Sequence, residues 1–170
     1  MIVRPYAGKN PRIGARVFIA ENAAVIGDVD LGDDCSVWYS ASIRGDLHSI
    51  HIGPRTNIQD NCTLHVTQET HPIRIAEEVT IGHGAVVHGC TIERRALIGM
   101  GSRVLDGSVV GELALVGAGA LVPEGMRVPP RTLVVGVPAR VKRPLTDDEI
   151  AHLEQSWKNY VGYKEEYLKR

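Results

Sequence analysis

The sequence predicts a mainly β protein, a parallel β-helix solenoid followed by one α-helix. Three observations carry this. Aliphatic residues recur every six positions over most of the chain. Eighteen glycines stand beside a single phenylalanine, so the core must be filled by Val, Ile, Leu and Ala. Helical spacing appears only near the C-terminus.

The repeat runs Ile13, Ile19, Val25, Leu31, Val37 and Ile43. Ile52, Ile58 and Leu64 continue it after three extra residues, and Ile75, Ile81 and Val87 after five extra. After one step of five, Ile92, Ile98, Val104, Val110, Val116, Val122, Val128 and Val134 complete it. A strict six-residue spacing scatters apolar positions around an α-helix, because six residues are 1.67 turns. It suits a short strand and a turn. Three such sides close a triangular coil, and each inward aliphatic stacks on its equivalent about 4.8 Å away. Small residues after the aliphatic, such as Gly53, Gly82 and Gly99, permit tight corners.

From Pro138 the pattern changes. Residues 1–140 are assigned to the solenoid and 141–170 to a C-terminal helical segment packed on it as part of one domain. Thr146-Asp147-Asp148-Glu149 has the form of a helix N-terminus. Ile150, Leu153, Trp157, Tyr160, Val161 and Lys164 follow at helical spacing, with a break expected near Gly162. The stripe reads as packing.

Composition excludes several roles. Nineteen basic residues balance 20 acidic ones, which gives no support to a nucleic-acid or membrane-surface partner. No apolar run approaches the ~18 residues of a membrane span, and the first eight residues lack a signal-peptide core, so a cytoplasmic location is expected. Cys35, Cys62 and Cys90 are an odd set and read as small buried hydrophobes.

The register brings chemistry together. Counting sides from Ile43 stacks Ile43, Leu64 and Val87 on one face. The residues that follow them, Arg44, His65 and His88, point outward as a ladder. Two imidazoles on adjacent rungs reach one ion, since Zn–N bonds are about 2.0–2.1 Å. On another side Ile58 stacks under Ile81, which puts Asp60 under His83. His83 lies across a corner from the other two histidines. Solenoids packed around a threefold axis would bring His83 of one to the His65–His88 pair of the next. Three nitrogens with an open fourth position is the catalytic zinc arrangement. His48, His51, His71 and His152 read as solvated surface residues.

These residues resemble the γ-class carbonic anhydrases and their bacterial hexapeptide-repeat relatives. The likeness covers nearly the whole chain. It includes G-D-V from Gly27 to Val29, W-x-x-x-x-I-R-G-D from Trp38 to Asp46, and I-G-x-x-T-N-I-Q-D from Ile52 to Asp60. L-H at Leu64-His65, I-G-H-G-A-V-V-H-G-C from Ile81 to Cys90, L-I-G-M-G from Leu97 to Gly101, and G-V-P-A-R from Gly136 to Arg140 continue it. The resemblance implies a left-handed β-helix and a homotrimer with metal sites at its subunit interfaces. It implies Zn2+, with Fe2+ or Co2+ as alternatives, on His65 and His88 of one subunit and His83 of the neighbour. By position, Arg44 and Asp46 match a pair that bridges the interface, and Gln59 matches the residue that orients the metal-bound hydroxide. Asn57 and Asp60 belong to the same polar group, with Asp60 placed either to pair with Arg44 or to orient His83. Tyr160 matches a family tyrosine near the site.

The implied reaction is reversible hydration of CO2 to bicarbonate. One departure bears on its rate. Two acidic positions that carry protons in the fully active members are Leu47 and Gln68 here, with Glu69 one residue away. Slow turnover is therefore expected. The competing readings are an acyltransferase or acyl-CoA thioesterase on the same scaffold, and a non-catalytic metal-bound trimeric scaffold.

Overall fold

A computed structural model describes residues 1–169; Arg170, the last residue of the segment assigned to 141–170, lies outside the described residues. The chain forms a left-handed parallel β-solenoid of about seven turns with one C-terminal helix. Most strands are only two or three residues long, because each hexad supplies one short side before the chain turns. The sides stack in the order the repeat predicts. Val25, Ile43, Leu64, Val87, Val104 and Val122 form one ladder. Leu31, Ile52, Ile75, Ile92, Val110 and Val128 form the second. Ile19, Val37, Ile58, Ile81, Ile98, Val116 and Val134 form the third. The inward aliphatics from Val25 to Val122 are essentially inaccessible to water.

The extra residues do not disturb the face order. The three before Ile52 are absorbed in the long strand Ser42–Ile52, which runs through a corner beside Ala24–Leu31. The five before Ile75 form a loop closed by a bridge between Thr67 and His71.

At the corner between the second and third sides the chain takes a left-handed residue in each coil: Arg16, Asp34, Arg55, Glu78, Arg95, Leu113 and Arg131. Side chains are affordable there because they stack and pair between coils. Arg16 pairs with Asp34, and Glu78 holds both Arg55 and Arg95. Arg95 in turn reaches Glu154 on the helix at 2.8 Å. Burial acts to raise the Glu78 carboxyl, but the Arg95 and Arg55 contacts outweigh it and hold it below its ordinary 4.5. A depressed carboxylate stabilises the fold above its unfolded-state value, and that contribution fades as pH falls through the folded-state value. Glu78→Gln is expected to cost on the order of 2 kcal/mol at pH 7. It should also flatten the loss of stability below pH 4.5. Urea midpoints of both proteins at neutral and acid pH check this.

The two ends differ from the sequence reading. A strand at Ile2–Arg4, which has no hexad signal, pairs with Ala24–Ile26 and adds a rung. Ile13 is exposed, because no neighbouring coil covers that end. After Val134 the chain turns back, and Arg140–Pro144 pairs antiparallel with Thr132–Val135.

The helix Asp147–Leu168 begins in a capping box formed by Thr146 and Glu149. It runs unbroken through Gly162, contrary to the expected break, because a lone glycine lowers helix stability by only about 1 kcal/mol while neighbouring turns are anchored. It lies over the third side. Leu153 is buried, Tyr160 and Tyr167 stack edge-on against Trp38, and Tyr167 meets Phe18. Lys164 is fully buried and paired with Asp34 at 3.1 Å. The stripe is packing, as its spacing predicts.

Candidate metal centre

The first side carries the outward ladder. Arg44 stands opposite His65, and His65 opposite His88, each in parallel register. Both histidines are largely shielded, at 18% and 31% side-chain exposure. Their nitrogens form a chain with two carboxylates. His65 Nε2 lies 3.0 Å from Asp46 Oδ1. His65 Nδ1 lies 3.1 Å from His88 Nε2. His88 Nδ1 lies 2.5 Å from Asp106 Oδ1.

Proton counting makes this chain informative. Burial acts to raise the Asp46 carboxyl, but hydrogen bonds from Arg44 and His65 outweigh it. Burial acts on Asp106 in the same way, and Thr67 and His88 outweigh it. Both carboxyls are therefore lowered, and both are acceptors at neutral pH. Each neutral imidazole has one N–H. The carboxylates claim them on His65 Nε2 and His88 Nδ1. With both rings in the neutral form a metal ligand takes, the lone pairs of His65 Nδ1 and His88 Nε2 face each other across 3.1 Å. A bound cation, or a proton shared between the two nitrogens, satisfies such a pair. Two nitrogens bonded to one tetrahedral zinc stand about 3.3 Å apart. The residues present thus fit two ligands of an ion, with each outer nitrogen already held by a carboxylate.

His83 lies on the other side of a corner. Its Nδ1 is 2.8 Å from Asp60 Oδ2, which leaves Nε2 outward, and the side chain is 46% exposed. Within the chain, Asp60 contacts His83. The His83 backbone N–H donates to Gln59 Oε1 at 3.1 Å. Gln59 Nε2 donates to Asn57 Oδ1, and Asn57 Nδ2 to Thr80 Oγ1. Thr80 meets Ser156 of the helix. Asn57 and Gln59 are buried, so this network fixes His83 to the third side. Among the described residues, no three His, Cys, Asp or Glu side chains of one chain converge on an ion position.

Arg44 pairs with Asp46 of its own chain. Tyr160 is half-buried against Trp38, and burial, then the charge of Asp60, pushes its phenol up to about 12. It lines a cavity of about 430 Å3 with Asp60, Trp38 and Tyr163. Leu47 and Met100 are exposed large apolar residues. Leu47 follows Asp46, and Met100 lies one rung beyond His83. The three cysteines are buried thiols; burial pushes Cys62 up to about 11 and Cys35 to about 12, and Cys90 higher still. His51 and His152 are exposed as expected, while His48 is half-buried over Ser49. His71 does not face solvent alone: the loop folds it to 3.9 Å from Asp106.

Asp106 is the residue the sequence reading missed. Val104 stacks on Val87, so the two-residue step sets Asp106 beside Gly89, one position past His88, and the register alone did not pair it with the histidine.

Fold and side chains together define a hexapeptide-repeat solenoid with a histidine–carboxylate cluster on an outer side. Comparison with known proteins narrows this. No protein-family model matches. A carbonic anhydrase of Geobacillus kaustophilus is 45% identical over 168 residues, covering 99% of this chain and 91% of the relative. The mitochondrial gamma carbonic anhydrase 2 of Arabidopsis thaliana is 46% identical over 159 residues, 91% of this chain and 57% of the relative. A Bacillus cereus crystal structure, described provisionally as an acetyltransferase, superimposes with a TM-score of 0.96 at 42% identity, covering 98% of this chain and 96% of that one. The chain belongs to the γ-class carbonic anhydrase-like family of hexapeptide-repeat proteins. No helix among the described residues is long and apolar enough to cross a membrane.

Proposed function

We propose that the protein is a metal-dependent hydratase that interconverts CO2 and bicarbonate at sites shared between subunits of a homotrimer. The observation that carries this reading is the pair of opposed nitrogens, His65 Nδ1 and His88 Nε2, held 3.1 Å apart with carboxylates behind them. His83 of the neighbouring subunit supplies the third nitrogen. A bound zinc, or an iron or cobalt ion that also accepts imidazole, supplies Lewis acidity that lets water act as a nucleophile near neutral pH.

The chain's own residues do the rest. Asp60 and the Gln59 carbonyl fix His83 from its side chain and its backbone. Gln59 spends one amide N–H on Asn57 and keeps the second to orient the attacking water. Arg44 uses part of its planar fork on Asp46 and turns the remaining donors to a carboxylate of the next subunit. Leu47 and Met100, exposed beside the two halves of the site, are covered when those halves meet. Tyr160 stays protonated and closes the helix side of the site. Leu47 and Gln68 carry no proton, so release of protons to water limits turnover. A cytoplasmic location accompanies this reading.

Metal analysis of protein purified without chelator, followed by a CO2 hydration assay with zinc or anaerobic iron, tests it. About one ion per subunit is expected. His65→Ala, His83→Ala and His88→Ala should each lose the ion and the activity. Full metal content in all three variants would sink the proposal.

One observation favours a second reading. A cavity of about 380 Å3 beside His83, lined by Leu97, Met100 and Leu115, offers an apolar slot for an acyl donor. Metal-independent turnover of acetyl-CoA, by transfer or hydrolysis, would move the function there. Metal without either activity would favour a scaffold role.

A further inference from the structure

We propose that Asp106 is the positioning residue for His88, and that Thr67, on the loop after His65, fixes Asp106 in turn. The proposal rests on the reading of His88 as a metal ligand, and it assigns a task to a loop that the repeat treats as extra length.

The seat of Asp106 is built from three coils. Its Oδ1 takes the His88 Nδ1–H at 2.5 Å. Its Oδ2 takes the Thr67 hydroxyl, across 39 residues of sequence. His71 closes the open side at 3.9 Å. Backbone bonds lock the coils together here: Gly107 N donates to the Gly89 carbonyl at 2.8 Å, and Gly125 N to the Asp106 carbonyl at 2.9 Å. Gly89 makes the seat possible. It is left-handed, and a Cβ there would meet the Asp106 carboxylate and come 2.7 Å from His71 Cβ.

Asp46 stands behind His65 as Asp106 stands behind His88, but the two are not equivalent. Asp46 shares its charge with Arg44. Among the described residues, Asp106 has no lysine or arginine partner and meets only the two histidines and Thr67. No guanidinium or ammonium group therefore competes with His88 for its charge. Asp106 selects the Nδ1–H tautomer, which leaves the Nε2 lone pair for the ion, and makes that nitrogen a stronger donor. The Thr67 hydroxyl keeps the carboxylate from rotating away.

Zinc affinity by competition with a chromophoric chelator, together with nitrogen NMR of the His88 ring in metal-free protein, tests the assignment. Asp106→Ala should weaken zinc binding by about ten- to a hundredfold, more than Asp46→Ala does. Asp106→Asn keeps an acceptor without the charge and should recover part of the loss. Thr67→Val should give a smaller loss of the same sign. In metal-free wild type, His88 should carry its proton on Nδ1, and Asp106→Ala should lose that preference. A purely structural role would not move the tautomer in the folded Asn variant and the Ala variant by different amounts. Unchanged zinc affinity in a folded Asp106→Ala protein, or an Nε2–H tautomer in wild type, would overturn the proposal. If wild type binds no zinc, the hydratase reading fails, and the tautomer alone still decides between Asp106 as the positioning group and no role.

Discussion

Mixing subunits that carry His83→Ala with subunits that carry His88→Ala should restore metal sites that neither variant has alone. In the shared-site arrangement each interface takes His83 from one subunit and the His65–His88 pair from the next. Trimers of either variant lack one half at every interface. In a mixture, an interface is complete when the His88→Ala subunit lends its His83 to the intact pair of a His83→Ala subunit. Random assembly from equal amounts completes about one interface in four, since two independent choices must both fall the right way. Zinc content and CO2 hydration should both return to that fraction of wild type. A site confined to one chain would recover nothing. The prediction draws on the separation seen within the chain, where His65 and His88 share a ladder while His83 is tied across the corner to Asp60 and Gln59.

Gly45→Ala should produce the second large effect, on stability and on the site together. Gly45 lies where the strand Ser42–Ile52 passes through its corner, between Arg44 and Asp46. A Cβ there would sit 2.5 Å from the Asp28 carbonyl oxygen in the neighbouring coil and 3.2 Å from that of His48. Both obstacles are backbone, so the coils must part. Overpacking of this kind costs about 1–3 kcal/mol, and the displacement moves Asp46 off His65. The melting temperature should fall by several degrees, and zinc affinity should fall with it. Gly119→Ala is the control. Gly119 is left-handed, but a Cβ there meets open space. Its cost should be about 1–2 kcal/mol of backbone strain with no change in zinc affinity. Equal losses of affinity in the two variants would show that Gly45 acts only through global stability.

Much of the architecture was legible because a solenoid is nearly one-dimensional. The spacing of Ile43, Leu64 and Val87 was enough to align Arg44, His65 and His88, and the alternation of side chains in a strand was enough to turn them outward. The same count put Asp60 beneath His83, and the 2.8 Å contact follows from that register. Thr146 and Glu149 announced the start of the helix, and Leu153 its buried stripe.

What the sequence by itself determined was the face on which each residue lies, because the hexad and the two-residue alternation are local and survive insertions that loop out of the ladder. What only the tertiary structure decided was which side chains meet across coils. Asp106 reaches His88 because the loop after His65 folds back to place Thr67 and His71 against it, and because Gly89 leaves room. Lys164 sits in an apolar stripe yet is buried, because Asp34 waits in the solenoid wall at 3.1 Å. Such contacts depend on rotamers and loop paths separated by many residues, and periodicity carries no record of either. The register fixes a residue's address on the solenoid, and the packing of neighbouring coils decides which partner it meets there.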